Sequence, residues 1–219
     1  NTALSHQRKL DSYRNEQHFY QYYSALTDDY CRVPRCLGTG QYGNQSWLIL
    51  QDLDQQGFTY RCDEAPLALV KLGLRWLAYF HARFLQQPVP GLWPIGTYWH
   101  LATRPDEWQN MPEGQLKQLA KTIDSQLNQA SFQTLLHGDA KLANFCFSQD
   151  QTDLAAVDFQ YVGAGVGVKD VAYFLGSCFD SDDLFRHADT LLNYYFSCLG
   201  QGVEHYAITL DIEAVEQQW

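Results

Sequence analysis

Residues 135–160 read LLHGDAKLANFCFSQDQTDLAAVDFQ. His137-Gly138-Asp139 opens the polar part of this stretch, Asn144 follows five residues after the aspartate, and Asp158-Phe159-Gln160 closes it. Apolar runs flank each piece: 132–136 before, 145–147 between, and 154–157 ahead of the second aspartate. The alternation predicts strand, polar loop, strand, turn, strand. Two carboxylates and an amide would then leave a small sheet close to one another.

Those residue types suit one kind of chemistry. Phosphoryl transfer asks a protein mainly to position groups and to neutralise charge. Mg²⁺ prefers oxygen ligands and takes only one or two of them from protein. Asn144 and Asp158 can supply them. Asp139 would stay free of metal and accept the proton of an attacking hydroxyl, while His137 would brace the loop. Asp and Asn also favour turns and caps, but three such elements in order on strands exceed what turn chemistry requires.

The loop resembles the catalytic loop of kinases, H-x-D-x-x-x-x-N, and Asp158-Phe159-Gln160 resembles their D-F-G. His-Gly-Asp in place of His-Arg-Asp is similar to the small-molecule branch, which holds aminoglycoside phosphotransferases, choline kinases and the ecdysteroid-kinase-like group. The resemblance implies a protein-kinase-like α+β fold of two lobes, with ATP and Mg²⁺ as cofactors. It gives Lys141 the part of steadying the γ-phosphate. It gives Asp170 the part of receiving backbone N–H groups of the catalytic loop; an acidic residue opening a helix also complements the helix dipole.

The rest of the chain fits around this centre. A helix is expected over 5–26, capped by Ser5, with Leu10, Tyr13, Phe19, Tyr20, Tyr23 and Leu26 on its apolar face. The resemblance makes it the small-lobe helix whose glutamate, Glu16, pairs with a nucleotide-contacting lysine; a plain solvated glutamate is the alternative. Strands are expected at 36–41 and 46–50 around Tyr42-Gly43-Asn44. Gln51-Asp52-Leu53 then resembles the hinge between lobes, where backbone groups of Gln51 and Leu53 would meet the adenine. Helices are expected over 64–85, 111–130, 171–178 and 182–199. Gly163, Gly165 and Gly167 read as a shortened activation-type segment bending near the site. The division is residues 1–53, the remnant of a nucleotide-binding lobe with its hinge, and residues 54–219, a C-terminal catalytic lobe.

No Gly-rich strand turn and no strand-borne lysine precede Glu16. An incomplete record of a longer chain is the favoured explanation, because Asp139, Lys141, Asn144 and Asp158 are all kept. The rival is a catalytically inactive nucleotide-binding or scaffold module. A metal-dependent hydrolase built on Asp139 and Asp158 is a further alternative, with Asp150, Asp153 or Asp170 as extra ligands.

Composition narrows the partners. A net charge of −10 over 219 residues argues against nucleic acid or an anionic membrane, both of which need a basic surface, and mildly favours a cationic acceptor. No apolar run reaches the length of a membrane span. The six cysteines show no zinc or Cys-x-x-Cys spacing, so a reducing cytoplasm is expected, with Cys146 and Cys178 as buried thiols. The expected partner is a small-molecule alcohol or amino-alcohol. Tyr98, Trp99, Trp108 and Tyr161 are candidate pocket walls for cation–π or apolar contact. Oligomeric state is not readable.

Overall fold

The computed structural model describes residues 2–43, 45–64, 66–97 and 100–219, with side chains from His6 onward. Helix α1 runs Thr2–Tyr22 and passes into a short 3₁₀ turn at Ser24–Leu26. It already includes Ser5, so that residue lies within the first turns and not at the cap. Strands β1 (Cys36–Tyr42) and β2 (Gln45–Leu50) form an antiparallel pair, with Thr39 opposite Leu48. Of the turn between them, Gly43 has a positive φ and Asn44 lies outside the described residues. Gln17 of α1 ties the helix to this pair, donating to Gly40 O at 3.0 Å and to the Thr39 hydroxyl.

Helix α2, Leu67–Arg83, is the centre of the fold and is buried along most of its length. The expected start at Glu64 moves to Leu67 because Pro66 has no N–H and disfavours helix in the residue before it. Phe19 and Tyr20 of α1, with Tyr23 just after it, share one apolar cluster with α2, so the first helix packs directly on the larger helical part. The helix expected over 111–130 is α4 (Gln115–Gln129), which starts four residues later, and a separate short helix, α3 (Pro105–Asn110), precedes it where none was expected. Pro112 and Gly114 lie in the break, and both are poor within helices.

Strand β3 (Thr134–Leu136) pairs antiparallel with β6 (Gly163–Gly165), and β4 (Phe145–Phe147) pairs with β5 (Leu154–Ala156). The glycine-punctuated segment is therefore partly a strand. The first glycine has a steric reason: a Cβ on Gly163 would lie 2.3 Å from Trp93 O. Helices α5 (Val168–Cys178), α6 (Ser181–His205) and α7 (Ile212–Gln218) complete the larger part. Helix α6 runs past the expected Leu199, and its N-terminus is capped by Asp180, which accepts from Asp182 N and Asp183 N. Asp150 sits in the β4–β5 turn, where its carboxylate accepts from Ser148 and Thr152.

The architecture is α+β: a small part made of α1 with the β1–β2 pair, and a mostly helical large part. No helix of the described residues is long and apolar enough to cross a membrane. All six cysteines are free thiols; Cys146 is buried, whereas Cys178 is only half-buried.

Candidate active site

Two N–H groups of the loop after β3 hang from one carboxylate. Asp170, in the first turn of α5, accepts His137 N at 2.6 Å and Gly138 N at 3.0 Å. His81 of α2 reaches the same carboxylate through Nε2 at 3.1 Å. Burial by itself would raise the Asp170 carboxyl; the hydrogen bond and charge of His81, with His137 and the Gly138 amide, outweigh it and hold it below the ordinary value. Further along the loop, Leu142 N donates to Ser177 Oγ at 2.9 Å, a second anchor from α5 that the sequence reading did not include.

His137 spends both ring nitrogens on its own neighbourhood. Nε2 donates to Val157 O at 3.0 Å and Nδ1 accepts Asp139 N–H at 3.3 Å. Burial lowers its pKa, against the pull of Asp170, Asp139 and Asp158. A neutral ring with both nitrogens engaged braces the loop and has no free position for taking a substrate proton.

Gly138 adopts φ +85°, and a Cβ there would sit 2.0 Å from Tyr161 O. An arginine at this position, as in His-Arg-Asp, would not fit. Gly138→Ala is expected to cost about 1–3 kcal/mol through backbone strain alone, with the clash adding to it. Thermal melting checks this; an unchanged midpoint would mean that the loop relaxes freely.

Asp139, Lys141 and Asn144 form one cluster. Lys141 Nζ lies 2.8 Å from Asp139 Oδ2. Asn144 Nδ2 donates to Asp139 O at 2.8 Å and to Asp139 Oδ2 at 3.2 Å. Burial would lower the Lys141 ammonium, but its hydrogen bond to Asp139 and the charges of Asp139 and Asp158 hold it above its usual value. Val157 N donates to Asn144 O at 3.0 Å, which brings the start of the Asp158 segment alongside Asn144. Asp158 has φ +68°, a left-handed conformation that aspartate tolerates better than most residues.

Helix α1 grips this second segment through polar groups. Glu16 Oε1 accepts Phe159 N at 3.0 Å. Burial first, and then the Asp158 charge, push the Glu16 carboxyl up to about 7. Asn15 donates to Gln160 O and Val162 O at 3.2 and 2.9 Å, and Ser12 donates to Gln160 Oε1. Phe159 is fully buried and stacks on Phe19 at 4.0 Å, with His137 4.6 Å away. These inward polar residues explain why the apolar stripe of α1 is irregular: Tyr13 and Leu26, expected on the inner face, are exposed.

At the expected hinge, Gln51 N donates to Arg35 O, and Leu53 O accepts from Gln56 N and Phe58 N. Among the described residues Gln51 O and Leu53 N have no hydrogen-bond partner. The Asp52 carboxylate is used locally, accepting Asp54 N at 2.9 Å and Gln55 N.

A cleft of about 990 Å³ opens onto Asp139 and Lys141. Its walls include Trp93, Tyr161 and Tyr173, with Arg8, Lys9 and Arg104 opposed by Asp11, Asp106 and Glu107. The two signs balance there, so the chain's acidity is not concentrated at the cleft. Of the expected aromatic walls, Tyr161 lines it. Trp108 does not: Lys121 lies over its ring at 4.6 Å. Tyr98 and Trp99 lie outside the described residues. Among the described residues no set of three His, Cys, Asp or Glu side chains could hold a metal ion.

A family model described as ecdysteroid kinase-like matches residues 98–207, half of the chain. The chain belongs to the ecdysteroid kinase-like family. No curated protein sequence matches it. Two solved structures share the fold of this ecdysteroid kinase-like chain. One is an amicoumacin kinase in complex with AMP-PNP, Ca²⁺ and Ami, 14% identical with a TM-score of 0.58, covering 98% of this chain and 69% of the other. The second is an aminoglycoside-3'-phosphotransferase of type VIII, 15% identical with a TM-score of 0.51, covering 94% and 80%.

Proposed function

We propose that this chain is an ATP-dependent phosphotransferase acting on a hydroxyl group of a small alcohol or amino-alcohol. The observation that carries the proposal is the joint placement of Asp139, Lys141 and Asn144 beside the Asp158 segment, at the end of an open cleft. Family membership supports the same reading, as does the likeness of fold to a kinase whose structure holds a nucleotide analogue and a divalent ion.

In this reading residues 1–53 contribute to the nucleotide-binding side and residues 54–219 form the catalytic lobe. The free Gln51 carbonyl and Leu53 amide, two residues apart, match the acceptor and donor that an adenine edge needs. Asp52 serves the turn and would act through its backbone. Glu16 steadies the Phe159 amide, and so the segment that carries Asp158.

Asn144 and Asp158 fit a magnesium ion. The amide nitrogen of Asn144 is committed to Asp139, which leaves its oxygen for a cation, and a carboxylate and an amide oxygen are the hard donors Mg²⁺ prefers. The ion, when bound, would neutralise charge on the nucleotide phosphates. Asp139 accepts the proton of the acceptor hydroxyl as that oxygen attacks the γ-phosphorus. The new P–O bond forms as the bond to the β-phosphate oxygen breaks and ADP leaves. Lys141, paired with the same carboxylate, offsets charge on the transferring group. His137 and Asp170 hold the loop still.

Asp158→Ala is expected to weaken ATP binding in the presence of Mg²⁺ by about tenfold or more, and to leave metal-free binding little changed. Isothermal titration with Mg²⁺ and then with EDTA measures both. Equal affinities for parent and variant under both conditions would remove Asp158 from the metal site. The acceptor is sought by thermal-shift screening with Mg-ATP, followed by panels of amine-bearing and sterol-like alcohols.

A further inference from the structure

Behind the catalytic loop lies a buried chain of polar side chains that lines no part of the cleft. Tyr195 of α6 places its hydroxyl 2.8 Å from His81 Nδ1, and His81 Nε2 meets Asp170 Oδ2, the oxygen that also holds His137 N. Tyr195 and His81 are 0% exposed and Asp170 is 1% exposed. Burial raises the Tyr195 phenol far above its ordinary value, so the hydroxyl keeps its hydrogen. An imidazole can rotate about its bond to Cβ, and a partner on Nδ1 helps keep Nε2 aimed at the carboxylate. Tyr195 is that partner, and the backbone of His81 is itself tied by Thr134 Oγ1 at 2.6 Å.

The room for this contact comes from Gly167. A Cβ on Gly167 would lie 2.5 Å from Tyr195 Oη and 2.7 Å from His81 Nδ1. Gly167 has an ordinary helical φ of −56°, so its lack of a side chain answers a need for space and not for unusual backbone. Trp219 borders the same space, 2.4 Å from that Cβ position, with its ring 6.3 Å from that of His81 and its Nε1 donating to Phe132 O.

We propose that Tyr195 is a positioning residue for the catalytic loop, acting through His81 and Asp170 on the backbone that carries Asp139. Only the activity arm of its test rests on the phosphotransfer reading. Tyr195→Phe removes one hydroxyl and keeps the ring. Amide hydrogen exchange in a peptide spanning 136–140 is expected to quicken about tenfold, with peptides of α2 and α6 changing by less than about twofold. With Mg-ATP and water as the acceptor, kcat is expected to fall about fivefold while KM for ATP stays within about twofold.

His81→Phe is expected to do the same, and adding Tyr195→Phe to it should change nothing further. Gly167→Ala, whose methyl would crowd Trp219 as well as the Tyr195–His81 pair, is a second route to the same loop-local effect should Tyr195→Phe not fold. The proposal is overturned if loop exchange is unchanged or rises in step with α2 and α6. It is equally overturned if Tyr195→Phe keeps its full effect when residue 81 is already phenylalanine. A parent protein that never hydrolyses ATP would count against the phosphotransfer reading, and the exchange measurements would still decide the role of Tyr195.

Discussion

Asp139→Ala is expected to slow phosphoryl transfer by about 10²- to 10⁴-fold, the range for loss of a general base, with affinity for Mg-ATP changed by no more than about twofold. The two halves of this expectation rest on different contacts. The carboxylate lines the cleft, and its removal leaves nothing within the loop to take the hydroxyl proton, because both nitrogens of His137 are already engaged. Asn144 keeps its aim in the variant: its amide also donates to the backbone carbonyl of residue 139 at 2.8 Å, which truncation leaves in place. Lys141 loses its ion-pair partner, but its side chain is 39% exposed and can return to water. Single-turnover assays with labelled ATP and a screened acceptor give the rate, and titration gives the affinity. A variant as fast as the parent would remove Asp139 as the base. A parallel loss of rate and nucleotide affinity would make it part of the binding site.

The arrangement of the loop at 137–144 was legible because its residues are local. His137, Asp139, Lys141 and Asn144 lie within one short loop, and a loop between two apolar strands can only gather them. Asp158 needed one more step, the β4–β5 hairpin, whose turn residues are plain in the sequence. The cleft was not legible in the same way. Arg8, Trp93, Arg104 and Tyr173 come from four separate segments, and only tertiary packing brings them to one wall. Nor was the inner face of α1: Ser12, Asn15 and Glu16 look like solvent-facing residues until the Phe159 and Gln160 backbone is laid against them. Helix limits failed where backbone chemistry outweighs side-chain pattern, at Pro66 and around Pro112 and Gly114. The strand at 163–165 was not foreseen, because it depends on Gly163 having no side chain where it passes close to Trp93.

The largest loss of stability is expected at Asp170, which lines no part of the cleft described above. Asp170→Ala strands three buried donors at once: His137 N, Gly138 N and His81 Nε2. None can reach water, since His137 and His81 are fully buried. Removing one partner from such a buried charged network costs about 3–5 kcal/mol, which for a chain of this size lowers the melting midpoint by roughly 10 °C. Asp170→Asn should fall between parent and alanine. Its amide oxygen can still accept one N–H, but its NH₂ group then faces a donor where the carboxylate offered an acceptor. Asp182→Ala, on the exposed first turn of α6, is the control and should stay within about 0.5 kcal/mol of the parent. Urea and thermal melts of the four proteins order these values. If Asp170→Ala melted with the Asp182 control, the loop would be held by Ser177 and the β3–β6 pairing instead, and the hydrogen bonds to Asp170 would be incidental to its stability.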